Sequence, residues 1–186
     1  MRPPFHTIGH SNRGLEAFVA LLEAAGIELV VDIRTVPRSR ANPQFNQDAL
    51  PGSLDGRGIA YEHLAALGGL RPRSRTVPRE VNGYWDNDSF HNYADYALSQ
   101  AFHAGLEHLV ARGRAQRSAV MCSEAVWWRC HRRIVADHLL ARGETVFHIM
   151  EAGRIDPASL TPGALVRPDG MVVYPGADAA VRPPMP

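Results

Sequence analysis

Two rhythms of apolar residues alternate through the first half of the chain. Phe5 to Ile8 is a short strand-like run, closed by Gly9. Leu15, Phe18, Val19 and Leu22 then recur at helical spacing, with Ser11 or Asn12 placed to cap the helix, Glu16 in its first turn and Gly26 at its end. Ile27 to Ile33 is almost continuously apolar and branched, the pattern of a strand buried on both faces. Strand, helix and strand in this order predict a parallel pair joined by a right-handed crossover.

The rhythm breaks from Arg34 to Gly58. Pro37, Pro43, Pro51 and three glycines there predict a long loop with room for one helical turn. Ile59 to Tyr61 fits a third strand, and a second Pro- and Arg-rich loop runs from Gly68 to about Asp88. Ser89 to Arg112 is expected to be one helix, with Phe90, Tyr93, Ala97, Ala101 and Leu109 along its apolar side and Gly113 ending it. Ser118 to Met121 predicts a strand, Trp128 to Arg142 a helix, and Thr145 to Ile149 a final strand after Gly143. Beyond Glu151, Leu165-Val166-Arg167 and Met171 to Tyr174 flank Pro168-Asp169-Gly170, a hairpin signal. The expected architecture is α/β: a mainly parallel sheet of about five strands with flanking helices. Residues 1–150 would form one domain, with 151–186 a C-terminal hairpin or extension packed on it.

With 186 residues, 45% of them hydrophobic and 21% charged, the chain can bury a core without disulfides or metal. A net charge of +1 argues against a generally basic coat for nucleic acid. All 20 basic residues are Arg. The absence of Lys excludes Schiff-base chemistry, pyridoxal-phosphate attachment and a Walker-type phosphate lysine. Two cysteines exclude a Cys-rich zinc module, and neither a metal nor a cofactor is expected. No apolar run approaches the roughly 18 residues needed to span a bilayer, and Met1-Arg2-Pro3-Pro4 lacks a signal-peptide core. The expectation is a cytoplasmic protein with reduced thiols and no membrane partner.

Ligands of open parallel sheets bind beyond the carboxyl ends of the strands. Here those ends read Gly9-His10-Ser11, Asp32-Ile33-Arg34 and Cys122-Ser123-Glu124, three polar clusters. A thiol at Cys122, ahead of a helix and close to Arg129, Arg132 and Arg133, is placed to be held as thiolate. Strand-end cysteines of thiol phosphatases and sulfurtransferases sit this way, but Arg129 follows Cys122 by six intervening residues rather than five, and the loop carries Trp127 and Trp128 instead of glycine. The plain alternative for Cys122 is a small buried residue. Cys130 and His131, adjacent on the expected helix, would not face a common ion, so Cys130 is either core or a resolving thiol. Asp32 could orient His10 as a base or pair with Arg34. Glu124 is a candidate general acid or base, or a helix cap. His131 could serve the site or simply be an ordered, hydrogen-bonded histidine. Arg34, Arg38 and Arg40 form one basic group and Arg71, Arg73, Arg75 and Arg79 another, with Phe45, Tyr84 and Trp85 near enough in sequence to stack on bases.

Read together, Thr7-Ile8-Gly9-His10-Ser11, Val31-Asp32-Ile33-Arg34, Pro37-Arg38-Ser39, Gly58 to Tyr61, Leu67-Gly68-Gly69 and Phe90 to Ala94 resemble the bacterial and archaeal "domain of unknown function 488" family. The resemblance continues through Met121-Cys122-Ser123-Glu124, Cys130 to Arg133 and Val146 to Ile149, and so spans about residues 5 to 150. Asp169 to Pro175 also fits. Ser123, where Ala is usual, and Ala97, where a larger residue is, depart from the pattern. The resemblance implies a fold and a site cluster but carries no activity.

The leading expectation is therefore an enzyme for a small anionic or nucleotide-like ligand, of the thiol-dependent hydrolase or transferase kind. Cys122, Glu124, His10 and Asp32 would supply the chemistry, while Ser11, Arg34, Arg38, His131 and Arg132 would bind. A nucleic-acid module using the Arg loops and a redox protein built on Cys122 and Cys130 are the rivals. Oligomeric state is left open.

Overall fold

The computed structural model describes residues 2–176. The apolar runs become strands β1 (Phe5–Gly9), β2 (Leu29–Asp32), β3 (Ala60–His63), β4 (Ser118–Cys122) and β5 (Val146–Glu151), joined by a sixth strand, β6 (Arg154–Pro157). One sheet holds all six in the order β3-β2-β4-β1-β5-β6. The first five run parallel, and β6 returns antiparallel against β5. The chain is α/β with a mostly parallel sheet, as its sequence pattern indicates. Strand β6 escaped that pattern because Arg154-Ile155-Asp156-Pro157 is a half-exposed, polar edge, reached through a tight turn at Gly153 (φ 76°).

Helices cover both faces. Helices α1 (Leu15–Ala24) and α2 (Leu50–Asp55) bury Phe18, Leu22, Leu50 and Leu54 against Ile8, Val30, Ala119 and Met121. Helices α3 (Asp88–Tyr96), α4 (Gln100–Ala115) and α5 (Arg132–Ala141) bury Tyr93, Phe102, Leu106, Ile134 and Leu139 against Phe5, Leu29, Val31 and Val120. Alternate residues of β2 and β4 thus serve opposite cores, which explains their unbroken hydrophobicity.

Several element boundaries differ from the expectation. Helix α1 starts after Gly14, with no side-chain cap; Ser11 lies earlier, in a left-handed turn (φ 51°). The single helix expected over 89–112 is two. Asn87 caps α3 through the amides of Ser89 and Phe90, and Ser99 caps α4 through the amide of Phe102. Helix α4 continues past Gly113, because that glycine is where the ring of Phe5 packs and a Cβ would overlap it. The helix expected over 128–142 is also divided, into a 3-10 turn at Trp127–Arg129 and α5. Between them Cys130 is extended (φ −128°, ψ 146°), so it does not lie on a helix. The loop over 34–58 holds two short elements, a 3-10 turn at Pro43–Phe45 and α2.

The C-terminal hairpin forms as expected, from β7 (Leu165–Val166) and β8 (Val172–Val173), with Gly170 at φ 82° and Asp169 accepting from the Met171 amide. Tyr174 anchors it, donating its hydroxyl to Asp137 at 2.7 Å and receiving the Tyr84 amide on its carbonyl. The rest of the expected extension, 177–186, lies outside the described residues. Among the described residues, no helix is long and apolar enough to cross a membrane.

The connections leaving β1 and β4 diverge. From β1 the chain passes over α1 to β2 on one side; from β4 it passes over α5 to β5 on the other, across the opposite face. The crevice between the carboxyl ends of β1 and β4 is therefore the switch point at which such sheets bind ligands.

Candidate functional site

At this crevice β1 and β4 keep pairing beyond the sheet: the His10 amide donates to the Cys122 carbonyl and the Ser11 amide to that of Ser123, both at 2.9 Å. Gly9 is required for this approach, since any Cβ there would overlap the carbonyl of Glu124. A cleft of about 490 Å³ opens above, with His10, Arg34, Cys122 and Cys130 buried in its floor. Arg38, Glu124 and Arg129 line its exposed rim, and His131, Ser89, Phe90 and Gly69 complete the walls.

Arg132 governs the floor. Its side chain is fully buried, at 0% exposure, and it makes no ion pair with a carboxylate among the described residues. Nη1 donates to Cys122 Sγ at 2.8 Å and to the Glu124 carbonyl at 2.6 Å, and Nη2 donates to the Ala125 carbonyl at 3.1 Å. Nε has no partner. A buried guanidinium without a counter-anion is very costly, and the one ionisable group it donates to is the Cys122 sulfur. Burial by itself would raise the Cys122 pKa. The neighbouring Cys130 thiol, the Arg132 charge and the Glu124 amide overturn that and lower it to about 7. Cys130 is pushed the other way, well above the ordinary thiol, by burial and by the neighbouring Cys122. Of the pair, Cys122 is the thiol biased toward ionisation and Cys130 the one biased to keep its proton.

Arg34 forms the second cationic group. It grips Asp32 through Nε to Oδ1 (2.9 Å) and Nη2 to Oδ2 (2.6 Å), and gives the Phe45 carbonyl its other Nη2 hydrogen (2.6 Å). Nη1 donates to His10 Nε2 at 3.2 Å. Five N–H groups minus these four leaves one, on Nη1, for a ligand. Asp32 also accepts the Tyr61 hydroxyl at 2.7 Å. Asp32 thus pairs with Arg34 and does not orient His10, the alternative in which it held a catalytic imidazole. His10 has Nδ1 committed to the Ser11 carbonyl (2.8 Å), stacks on Phe45 at 4.4 Å, and has its pKa lowered, mainly by burial. It is a neutral acceptor for Arg34, with neither ring nitrogen left as a base.

His131 donates Nε2 to the Ile33 carbonyl at 3.1 Å, which leaves Nδ1 unprotonated 3.6 Å from Cys130 Sγ. Burial lowers its pKa to about 4, so the ring stays neutral. Gly69 makes room for it, since a Cβ would stand 2.6 Å from Nδ1.

Of the residues singled out from the sequence, His10, Arg34, Arg38, Cys122, Glu124 and His131 meet in this cleft. Asp32 and Arg132 lie directly behind it, each holding a floor residue. Ser11 contributes backbone, and its hydroxyl turns to Asn12. Sequence reasoning passed over Tyr61, Gly69, Ser89 and Phe90, which come from a third strand, a loop and a helix start rather than from strand ends. Only the doublet Gly68-Gly69 was a visible sign. Among the described residues no group of three or more His, Cys, Asp or Glu is arranged to hold a metal ion.

Compared with known protein families, the chain matches the model described as "Domain of unknown function DUF488" over residues 14–139. This bears out the resemblance read from the motifs. No curated protein and no solved structure matches it.

Proposed function

We propose that this chain, which belongs to the DUF488 family, is an enzyme that uses the Cys122 thiolate on a small anionic substrate. The observation carrying the reading is the pairing of Arg132 with Cys122: a buried cation that donates to a nucleophile at the floor of an open cleft. The spare Nη1 hydrogen of Arg34 and the guanidinium groups of Arg38 and Arg129, which make no hydrogen bond or ion pair among the described residues, give the cleft a positive interior for the substrate's charge. Glu124 is the carboxyl group at the rim and the candidate to move a proton at the leaving atom. Thiolate attack forms a covalent intermediate, which water or a second acceptor then discharges; these are the hydrolase and transferase forms of one reading.

The rival, a nucleic-acid module, draws less support. Phe45 and Trp85 are buried, Trp85 stacked on Phe90, and so neither offers a face to a base. Arg71 is spent on the Ala65 and Gly68 carbonyls, and Arg79 on Asp88.

The test is alkylation of Cys122 by iodoacetamide with and without inorganic phosphate, sulfate or AMP. Protection at millimolar anion, lost in Arg34→Ala and retained when Arg73 and Arg75 are both replaced, supports the reading. Alkylation indifferent to all three anions, with tight and steeply salt-dependent binding of single-stranded oligonucleotides, would replace it with the module.

A further inference from the structure

We propose that Cys122 and Cys130 form a two-thiol centre that reduces a hydroperoxide, Cys122 attacking and Cys130 resolving the oxidised product. The proposal rests on the thiolate reading of Cys122 and adds a substrate class and a second reacting residue to the same cleft.

Both thiols are free, both line the cleft, and both are tied to Arg132: its Nη1 to Cys122 Sγ at 2.8 Å, its backbone amide to Cys130 Sγ at 3.5 Å. The two thiols are near enough for each to bias the other, Cys122 toward the thiolate and Cys130 toward the thiol. A core cysteine has no need of such partners. Cys130 also stands in the extended link between the 3-10 turn and α5, so its sulfur can close on Cys122 without unwinding a helix. On its other side is the unprotonated Nδ1 of His131, fixed as an acceptor by the bond from Nε2 to Ile33.

The rim suits an organic hydroperoxide. Val36 and Leu70, 58% and 75% exposed, line the mouth with the half-buried ring of Phe90, an apolar collar above a cationic floor.

The steps balance. Cys122 S⁻ attacks the terminal oxygen of ROOH; an S–O bond forms, the O–O bond breaks, and RO⁻ leaves beside the Arg132 charge and takes from solvent the proton that Cys122 gave up in ionising, to form ROH. Cys122 is now a sulfenic acid. The Cys130 sulfur then attacks the Cys122 sulfur, its proton passing to the departing oxygen. The S–S bond forms, the S–O bond breaks, and hydroxide departs with that proton as water. Two thiols have supplied two electrons; an external thiol restores them.

The experiment exposes reduced, desalted protein to one equivalent of hydrogen peroxide or cumene hydroperoxide and follows intact mass and free thiols. Expected is loss of two hydrogens per chain, with both thiols blocked and recovered by dithiothreitol, and cumene hydroperoxide reacting about tenfold faster than hydrogen peroxide. In Cys130→Ser, Cys122 should instead gain one oxygen and be trapped by dimedone. Circular dichroism guards against misfolding of the variant. A dimedone-reactive Cys122 in the wild-type chain, with Cys130 still alkylatable, would overturn the proposal and leave Cys130 as an unreacting neighbour only. Fast alkylation of Cys122 without any intrachain disulfide defeats the two-thiol centre alone, whereas alkylation as slow as that of a free thiol defeats the thiolate reading beneath it.

Discussion

Gly9 lies so close beneath the carbonyl of Glu124 that a single added methyl would overlap it and press on Arg132. The smallest residue of β1 thus sets the path of the loop that follows Cys122. Gly9→Ala is expected to lower stability by about 1–3 kcal/mol through overpacking, and to raise the pH midpoint of Cys122 alkylation as the Arg132 contact opens. Urea denaturation and alkylation rates measured on the same preparation check both. An unchanged midpoint would mean that the loop tolerates displacement.

The pH midpoint of Cys122 alkylation in the wild-type chain should lie near 7. The fold favours the thiolate, so the stabilisation it adds is complete above the pKa of an unfolded thiol and is lost as pH falls through the folded value. Replacing Arg132 by Met removes the cation and should shift the midpoint up by about a unit or more, slowing alkylation at pH 7 by about tenfold. Arg132→Lys, which keeps charge but loses the fork to Glu124 and Ala125, should fall between.

Acid should unfold the chain earlier than carboxylates alone require. Burial lowers His6, His131 and His148 to about 4 and His138 to about 3. Unfolded histidines take up protons near pH 6.5, so stability is whole above that value and drains away as pH falls from 6.5 toward 4. Each such histidine steepens the loss by up to about 1.4 kcal/mol per pH unit. His138, whose Nε2 is buried without a partner against Phe102, is the cleanest to remove. His138→Leu should flatten the melting temperature between pH 6.5 and 4.5 while leaving Cys122 alkylation unchanged.

Asp32→Asn strands Arg34 with a buried, unbalanced charge and is expected to cost about 3–5 kcal/mol. Tyr61→Phe removes one hydrogen bond to the same carboxylate and should cost about 1 kcal/mol. Chemical denaturation of the two variants separates these roles. Equal losses would show that Tyr61, not Arg34, is what Asp32 mainly serves.

The sheet was legible because its strands are buried on both faces and so read as apolar runs: Val30 and Val31 could lie nowhere else. The polar strand ends were legible for the same reason, since Asp32 and Cys122 interrupt such runs where they stop. What escaped was contact between elements distant in sequence. Helix periodicity carried straight through Ala97-Leu98-Ser99 and through Cys130, where Ser99 capping and the extended Cys130 divide the helices. The error at Cys130 mattered most, because its extended backbone places it in the link that lines the same cleft as Cys122. Composition gave no sign that Arg132 would be buried without a carboxylate, since charge counts do not say which charges meet.

The walls of the cleft are written in separate stretches of sequence. One wall, Arg34 to Ser39, hangs from β2; the other, Cys122 to His131, follows β4 and carries both sulfurs. Insertions or substitutions can therefore remake the first wall while Cys122 and Cys130 keep their places. A pair of hybrids exchanging residues 35–41 with those of another family member would inherit the donor's ligand preference and retain the recipient's thiol chemistry.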